Sequence, residues 1–378
     1  MTTNTALLGD ICKVIAGQSP PSSTYNKHGN GLPFFQGKAD FGVHSPKVRT
    51  WCNTPIKIAE KGDILISVRA PVGPTNFCDQ KSCIGRGLSA IRVSDKMDFN
   101  YLRYFLKNLE PRLSGQGRGS TFKAITQQDL KGIAIPLLPL KEQKRIVKEL
   151  DAADQLRQKR KQAIALLDDY LKSTFLDMFG DPITNPKGWE VRTMEDMIEF
   201  MTSGSRGWAK YYANNGDVFL RIQNVKNNNL DMNDICYVNP PNTAEARRTI
   251  VCEGDVLLSI TADLGRTAVV PKNIGTAYIN QHLALLRLKN GYMPDYISEY
   301  IASIGGKSQF DKLDKGGVKA GLNFNDIRSL KIPFPDIRLQ KEYILKRNQI
   351  LHLKQSMLAQ LDELDTNFNA LMQRAFRK

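Results

Sequence analysis

At 378 residues the chain is about twice the usual single-domain length, and 41% apolar and 24% charged residues with 28 Gly and 18 Pro are the make-up of a folded globular protein. Wholesale disorder and a collagen-like repeat are excluded, and two domains are expected. Lys and Arg number 53 against 38 Asp and Glu, a net charge of +15 that points to a polyanionic partner such as nucleic acid.

Both halves share the excess: 28 basic against 17 acidic residues over 1–189, and 25 against 21 over 190–378. Cys12, Cys52, Cys78, Cys83, Cys236 and Cys252 show no CxxC spacing, which predicts reduced thiols with neither a zinc site nor a disulfide framework. The first residues lack a basic segment followed by an apolar one, and no apolar run reaches the ~20 residues that span a bilayer. A cytoplasmic, untethered protein is expected.

In chain order, Leu8-Gly-Asp10-Ile opens a first β-rich stretch. A strand-like run, Asp63-Ile-Leu-Ile-Ser-Val68, follows Gly62, and Gly-rich loops lead to Ile135-Pro136 and a long helix from about Lys141 to Met178. Its apolar seam is Ile146, Leu150, Ala153, Ile164, Leu167, Leu171 and Met178, interrupted by Arg157 and Arg160. Phe179-Gly-Asp-Pro182 through Trp189 then carries two Pro, two Gly and turn formers, which end the helix and read as a connection between domains.

The order then repeats about 190 residues later, too long a period for a solenoid and therefore a domain duplication. Met194-Glu-Asp196-Met answers Leu8-Gly-Asp10-Ile, and Gly254-Asp255-Val-Leu-Leu-Ser259 answers Gly62-Asp63-Ile-Leu-Ile-Ser67. Gly265 answers Gly73, Asp326 with Ile332-Pro333 answers Asp129 with Ile135-Pro136, and Gln340-Lys341 answers Gln143-Lys144. A second long helix runs from about Leu339 to Phe376 with Ile350, Met357, Leu361, Leu364, Phe368, Leu371 and Ala375 on its seam. An apolar stripe ~57 Å long needs a partner, and the equivalent helix of the other copy, lying antiparallel, is the expected one. Docking against a separate subunit is the competing arrangement.

Several fragments imitate enzyme motifs and fail on spacing. Gly305-Gly-Lys307-Ser308 has Ile301 where a phosphate loop has its first glycine, and Gly115, Gly117 and Gly119 are misplaced for a dinucleotide turn. Asn239-Pro-Pro-Asn242 lacks the aromatic that would stack on a flipped base, and neither Pro294-Asp295 nor Pro335-Asp336 leads into the remainder of a metal-nuclease motif. His28, His44, His282 and His352 are scattered. No catalytic residue, cofactor-binding residue or metal ligand is expected in this chain.

What remains is a set of basic and polar loops. Arg, Lys, Asn and Gln offer fork or amide geometry to base edges and charge to phosphates. On that ground Gln18, Tyr25, Lys38, Arg69, Arg118 and Lys123 in the first copy are the candidate DNA-contacting residues. In the second copy they are Arg206, Trp208, Lys210, Lys226, Arg266, Lys315 and Lys319.

Two β-rich basic modules, each followed by a long helix and joined by Phe179-Gly-Asp-Pro-Ile-Thr-Asn-Pro-Lys-Gly-Trp189, resemble the specificity subunit of type I restriction-modification systems, and the likeness covers nearly the whole chain. The residues carrying it are the Gly62-Asp63 and Gly254-Asp255 blocks, Ile135-Pro136 with Pro139 and Glu142-Gln143, Ile332-Pro333 with Pro335 and Gln340, and Met178 through Trp189. At the second helix start Asp336-Ile-Arg-Leu339-Gln340 departs from the pattern in its capping residues.

The resemblance implies an α+β fold of two β-rich target-recognition domains related by pseudo-twofold symmetry and separated by two long antiparallel coiled-coil helices. The expected boundaries are 1–140 for the first recognition domain, 141–179 for the central helix, 180–192 for the linker, 193–336 for the second recognition domain and 337–378 for the C-terminal helix. It further implies a non-catalytic subunit that reads a bipartite, non-palindromic DNA site, one half per domain, with the helices setting the spacer. Methyltransferase subunits, two of them, would dock on the helices and restriction subunits would join through these, with S-adenosylmethionine, ATP and Mg on the partners. The alternatives from other classes are a self-sufficient DNA methyltransferase or nuclease and a non-specific DNA-binding coiled-coil scaffold.

Overall fold

A computed structural model describes residues 5–116, 124–226, 228–313 and 321–377. The chain forms two compact units, Met1–Ala163 with Met357–Lys378, and Ile164–Ser356. The long helices, Leu140–Phe179 and Ile337–Phe376, each contribute one part to each unit. No helix among the described residues is long and apolar enough to cross a membrane.

In the first unit a four-stranded antiparallel sheet runs in the order Cys12–Ala16, Leu88–Val93, Ile64–Ser67, Thr75–Phe77. A second sheet has the order Tyr25–Asn26, Trp51–Cys52, Leu32–Phe35, Ser82–Ile84, Ile58–Ala59, and its pair Leu32–Phe35 and Ser82–Ile84 is parallel. Ile64 and Ile66 join the core built with the helix Phe99–Gln116 and the two long helices, whereas Leu65 joins Phe35, Ile84 and Leu88 in the core toward the second sheet. The strand is covered on both faces, which is why its sequence reads as an unbroken apolar run.

The second unit repeats the plan. Its antiparallel sheet is ordered Ile198–Ser203, Leu283–Leu288, Val256–Ser259, Thr267–Val269, and Asp217–Leu220 pairs in parallel with Ala277–Ile279. Val256 and Leu258 face the helical core and Leu257 the other one.

The repeated motifs are the frame of each unit. Gly62 and Gly254 have φ of +96° and +84°, a left-handed turn that favours glycine, and each delivers a buried aspartate. Asp63, 1% exposed, accepts from the Glu60 amide (2.9 Å) and from Arg92 Nε and Nη2 (2.8 and 2.9 Å). Asp255, likewise 1% exposed, accepts from the Cys252 amide (2.7 Å) and from Arg287 Nε and Nη2 (both 2.8 Å). Such a bidentate, charge-assisted pair fixes geometry as well as charge, and the carboxylate holds both arginines above their ordinary pKa.

The other repeats have local roles. Asp129 and Asp326 close capping boxes with Thr126 and Asn323 on short helices. The Pro136 and Pro333 carbonyls accept from the buried hydroxyls of Tyr101 (3.1 Å) and Tyr296 (2.8 Å). Gln143 Nε2 donates to Leu138 O (2.7 Å) and its Oε1 accepts from the Asp98 amide (2.7 Å). Gln340 keeps only the first of these bonds, to Pro335 O (2.8 Å), and its buried Oε1 has no partner among the described residues.

Within each unit the long helices run antiparallel. In the first, Glu149 meets Arg374 (3.8 Å) and Arg157 meets Asp365; in the second, Asp168 meets Lys354, and Phe175 and Phe179 flank Tyr343 at 5.5 and 5.2 Å. Arg157, expected to interrupt the seam, lies in it: its guanidinium sits 4.3 Å over the Phe368 ring and pairs with Asp154 at 2.7 Å as well as with Asp365. The segment 180–192, expected as a linker, contains a folded helix terminus. Lys187 Nζ donates to the Asp177 and Met178 carbonyls (2.6 and 3.0 Å), Trp189 Nε1 donates to Phe179 O (2.8 Å), and Asp181 caps the amides of Ile183 and Thr184, which lowers its pKa.

Removing either buried carboxylate takes the acceptor from a guanidinium and from one backbone amide, that of Glu60 or Cys252. Asp63→Ala and Asp255→Ala should each cost about 2–4 kcal/mol in denaturant unfolding of the unit concerned; a loss under ~0.5 kcal/mol would contradict the structural role given to the Gly-Asp repeat.

Candidate nucleic-acid interface

In the first unit the parallel pair Leu32–Phe35 and Ser82–Ile84 hands the chain to a tight turn, Gly85-Arg86-Gly87. The Gly85 amide donates to Phe35 O (2.8 Å), Leu88 to Gly85 O (3.0 Å) and Val68 to Gly87 O (2.9 Å). The segment after strand Cys12–Ala16 crosses beside the turn, with Gly17 donating to Leu88 O (2.9 Å) and Gln18 to Ile84 O (3.0 Å). This approach needs glycine: a Cβ on Gly17 would lie 2.1 Å from Gly85 O.

The crossing gathers four loops around a cleft of about 910 Å³ lined by Gln18, Tyr25, Gln36, Lys38, Arg69 and Arg86, among others. Thus Gln18, Tyr25, Lys38 and Arg69, scattered over 52 positions, meet in one place. Arg118 and Lys123 lie outside the described residues. Tyr25 packs 4.6 Å from Phe34 and donates to Pro20 O (2.7 Å); burial, then Cys52 and Cys83, raises its phenol pKa, so it is a hydrogen-bond donor at neutral pH. Lys38, Arg69 and Arg86 are exposed and, among the described residues, form no ion pair.

The equivalent turn in the second unit is Asn280-Gln281-His282. Asn280 donates to Leu220 O (3.0 Å), Leu283 to Asn280 O (3.1 Å) and Ile260 to His282 O (3.0 Å), bond for bond the pattern of the first unit. Gly204 takes the place of Gly17, and a Cβ there would fall 2.2 Å from Ile279 O. Thr261 stands where Arg69 does, since Arg69 bridges Ala124 and Thr261 bridges Gly321. Arg266 is instead the counterpart of Pro74: Ser259 donates to Arg266 O (2.8 Å) as Ser67 does to Pro74 O (2.9 Å).

The candidates of the second copy are therefore dispersed. Arg206 and Lys210 are exposed, Lys210 lying 5.0 Å from the centroid of the Tyr211 ring. Lys226 pairs with Asp231 (2.8 Å) and Arg266 with Asp263, and both line a separate hollow with Lys307. Lys315 and Lys319 lie outside the described residues. Trp208, expected from sequence to be a loop aromatic, is 5% exposed, with its ring 5.0 Å from Phe219 in a stacked arrangement and its Nε1 donating to Ser205 Oγ (2.9 Å). Its place is in a hydrophobic core, so its ring has no free face for a base.

Arg86 is absent from the candidates that the sequence suggests, and Gln281 and His282 stand out there only as polar loop residues. The signal for Arg86 is its position between two glycines directly before an apolar strand. Gly305 and Gly306 are buried inside the helix Ile304–Leu313, and among the described residues no His, Cys, Asp and Glu grouping could hold a metal ion.

Three cations that form no ion pair among the described residues, Lys38, Arg69 and Arg86, line this one cleft and give a measurable salt dependence. Lys38→Ala and Arg69→Ala should each weaken binding to duplex DNA of any sequence and reduce the slope of log K against log salt by about 0.9. An unchanged slope in both variants would remove these side chains from the interface.

The sequence model of the type I restriction modification DNA specificity domain matches residues 3–166 and 186–352, one match in each copy. The putative type I restriction enzyme MjaX specificity subunit of Methanocaldococcus jannaschii is 52% identical over 145 residues, 38% of this chain and 34% of that protein, so the match spans about a third of that relative. The MjaVIII specificity subunit of the same organism is 22% identical over 386 aligned positions, covering 94% of this chain and 88% of its own length. In fold, a chain from a solved structure on complex assembly and conformational transition of the type I R-M system superposes with a TM-score of 0.68 at 19% identity, covering 99% of this chain and 97% of that one. With the family match running through both units, the chain belongs to the type I restriction-modification DNA specificity family.

Proposed function

We propose that this chain is the DNA-recognition subunit of a type I restriction-modification complex and that it carries no catalysis of its own. Each unit reads one half of a split, non-palindromic DNA site. The long helices fix the spacer between the halves and dock methyltransferase subunits, two per chain, through which restriction subunits join. S-adenosylmethionine, ATP and Mg belong to those partners, and the assembly works in the cytoplasm.

The observation that carries the reading is that one hydrogen-bonded frame occurs twice while the side chains at its reading turn differ. Arg69, Arg86 and Gly87 in the first unit stand where Thr261, Gln281 and His282 stand in the second. Identical readers would suit a palindrome, as two-fold dimers do; unlike readers suit two unlike half-sites. Base edges are told apart by the donor and acceptor patterns these side chains offer. The proposed contact set is Gln18, Tyr25, Lys38, Arg69, Arg118 and Lys123 with Arg206, Lys210, Lys226, Arg266, Lys315 and Lys319.

The test is a module exchange. Replacing residues 194–335 with the corresponding module of another family member should alter one half of the selected sequence and leave the other half intact, read by sequencing duplexes retained from a random pool. Simultaneous change of both halves would contradict independent reading, and methyl transfer to DNA by the isolated chain would favour a self-sufficient enzyme.

A further inference from the structure

The bond-for-bond match of the two turns places Arg86 and Gln281 at one equivalent backbone position in the two units. Their side chains are held differently. Ser19 Oγ accepts from the Arg86 amide (3.2 Å) and stands 3.5 Å from Arg86 Nε, which leaves both Nη groups without a partner among the described residues. That free edge is a pair of parallel donors lining the cleft beside Lys38 and Arg69.

In the second unit Gln281 Nε2 lies 3.0 Å from His282 Nε2, and His282 Nδ1 lies 2.6 Å from Thr261 Oγ1. When the amide donates one hydrogen to the ring, His282 carries its own proton on Nδ1 and donates it to Thr261. The carboxamide is tethered in this way with its oxygen and its second N–H still free, one acceptor beside one donor.

These two edges are complementary to different purines. Two donors side by side match O6 and N7 of guanine in the major groove; an acceptor beside a donor matches N6–H and N7 of adenine. We propose that Arg86 selects a guanine in one half-site and Gln281 an adenine in the other, with His282 and Thr261 as the residues that position Gln281. The inference rests on the reading of each unit as a half-site reader, and goes further by naming the base-discriminating side chain of each. It also explains the difference between the turns: Arg86 is flanked by two glycines, which leave its long fork unhindered, whereas Gln281 is flanked by the residue that orients it.

The test uses the full chain assembled with its methyltransferase subunits and a random duplex pool, with the retained sequences read out. Arg86→Gln should lower the preference for guanine over adenine roughly tenfold or more at one position of one half only, and Gln281→Arg should do the converse at one position of the other half. Retention of the unaltered half in each variant reports that the chain is folded. Arg86→Lys keeps the charge and loses the planar fork, so it should retain affinity for phosphates while its guanine preference weakens. If the wild type selects a split motif but base preference survives at every position in Arg86→Gln and Gln281→Arg, or if Arg86→Lys discriminates as well as the wild type, the assignment of these two readers is overturned. If the wild type itself selects no split motif, the half-site reading fails and this assignment with it.

Discussion

A carboxylate taken almost wholly out of water and gripped by a guanidinium fork is the constraint on which each unit depends. Asp63 stands at the start of strand Ile64–Ser67 and Arg92 near the end of strand Leu88–Val93, so their pair fixes how these two strands lie against each other. Strand Leu88–Val93 begins where the turn Gly85-Arg86-Gly87 ends, and strand Ile64–Ser67 ends just before Arg69. A slip of one residue would exchange the two faces of strand 64–67, each of which feeds a different core, and would displace both cations. Asp255 and Arg287 impose the same condition on the second unit.

With the frame so determined, the variable side chains are free to differ. The first unit surrounds its turn with cations that form no ion pair among the described residues, a surface suited to phosphate and guanine. The second surrounds the equivalent turn with Thr261, His282 and an amide. Its neighbouring Arg221 is occupied by the Asp234 carboxylate (3.3 Å) and carbonyl (3.1 Å). Under the proposed reading, the turn of the first unit would contribute more electrostatic attraction and that of the second more directional hydrogen bonding.

The frame was legible because it is written twice. Gly-Asp, the capping aspartates, Ile-Pro and the helix-start glutamine recur in order; the first three have the same role in both units, and the glutamine keeps only its bond to the carbonyl five residues earlier. The helix seams were legible as periodicity, except at Arg157, where a charge is admitted because Asp154, Asp365 and the Phe368 ring receive it. The reading surface was less legible, for a physical reason. It is assembled by backbone crossings such as Gly17 against Gly85, which bring together residues with no sequence relation, and a linear scan cannot distinguish an exposed loop aromatic from Trp208, whose ring fills a core. Nor can charge counting separate Arg69, which forms no ion pair among the described residues, from Arg266, which Asp263 neutralises.

Under the proposed function, a shared frame with unlike readers calls for a target whose halves differ. Methylation-sensitive sequencing of the source genome measures this directly. The account predicts one recurrent split motif, two unequal defined halves around an unspecified spacer of constant length, with modified adenines. A continuous motif, a palindrome, or a spacer of variable length would contradict it.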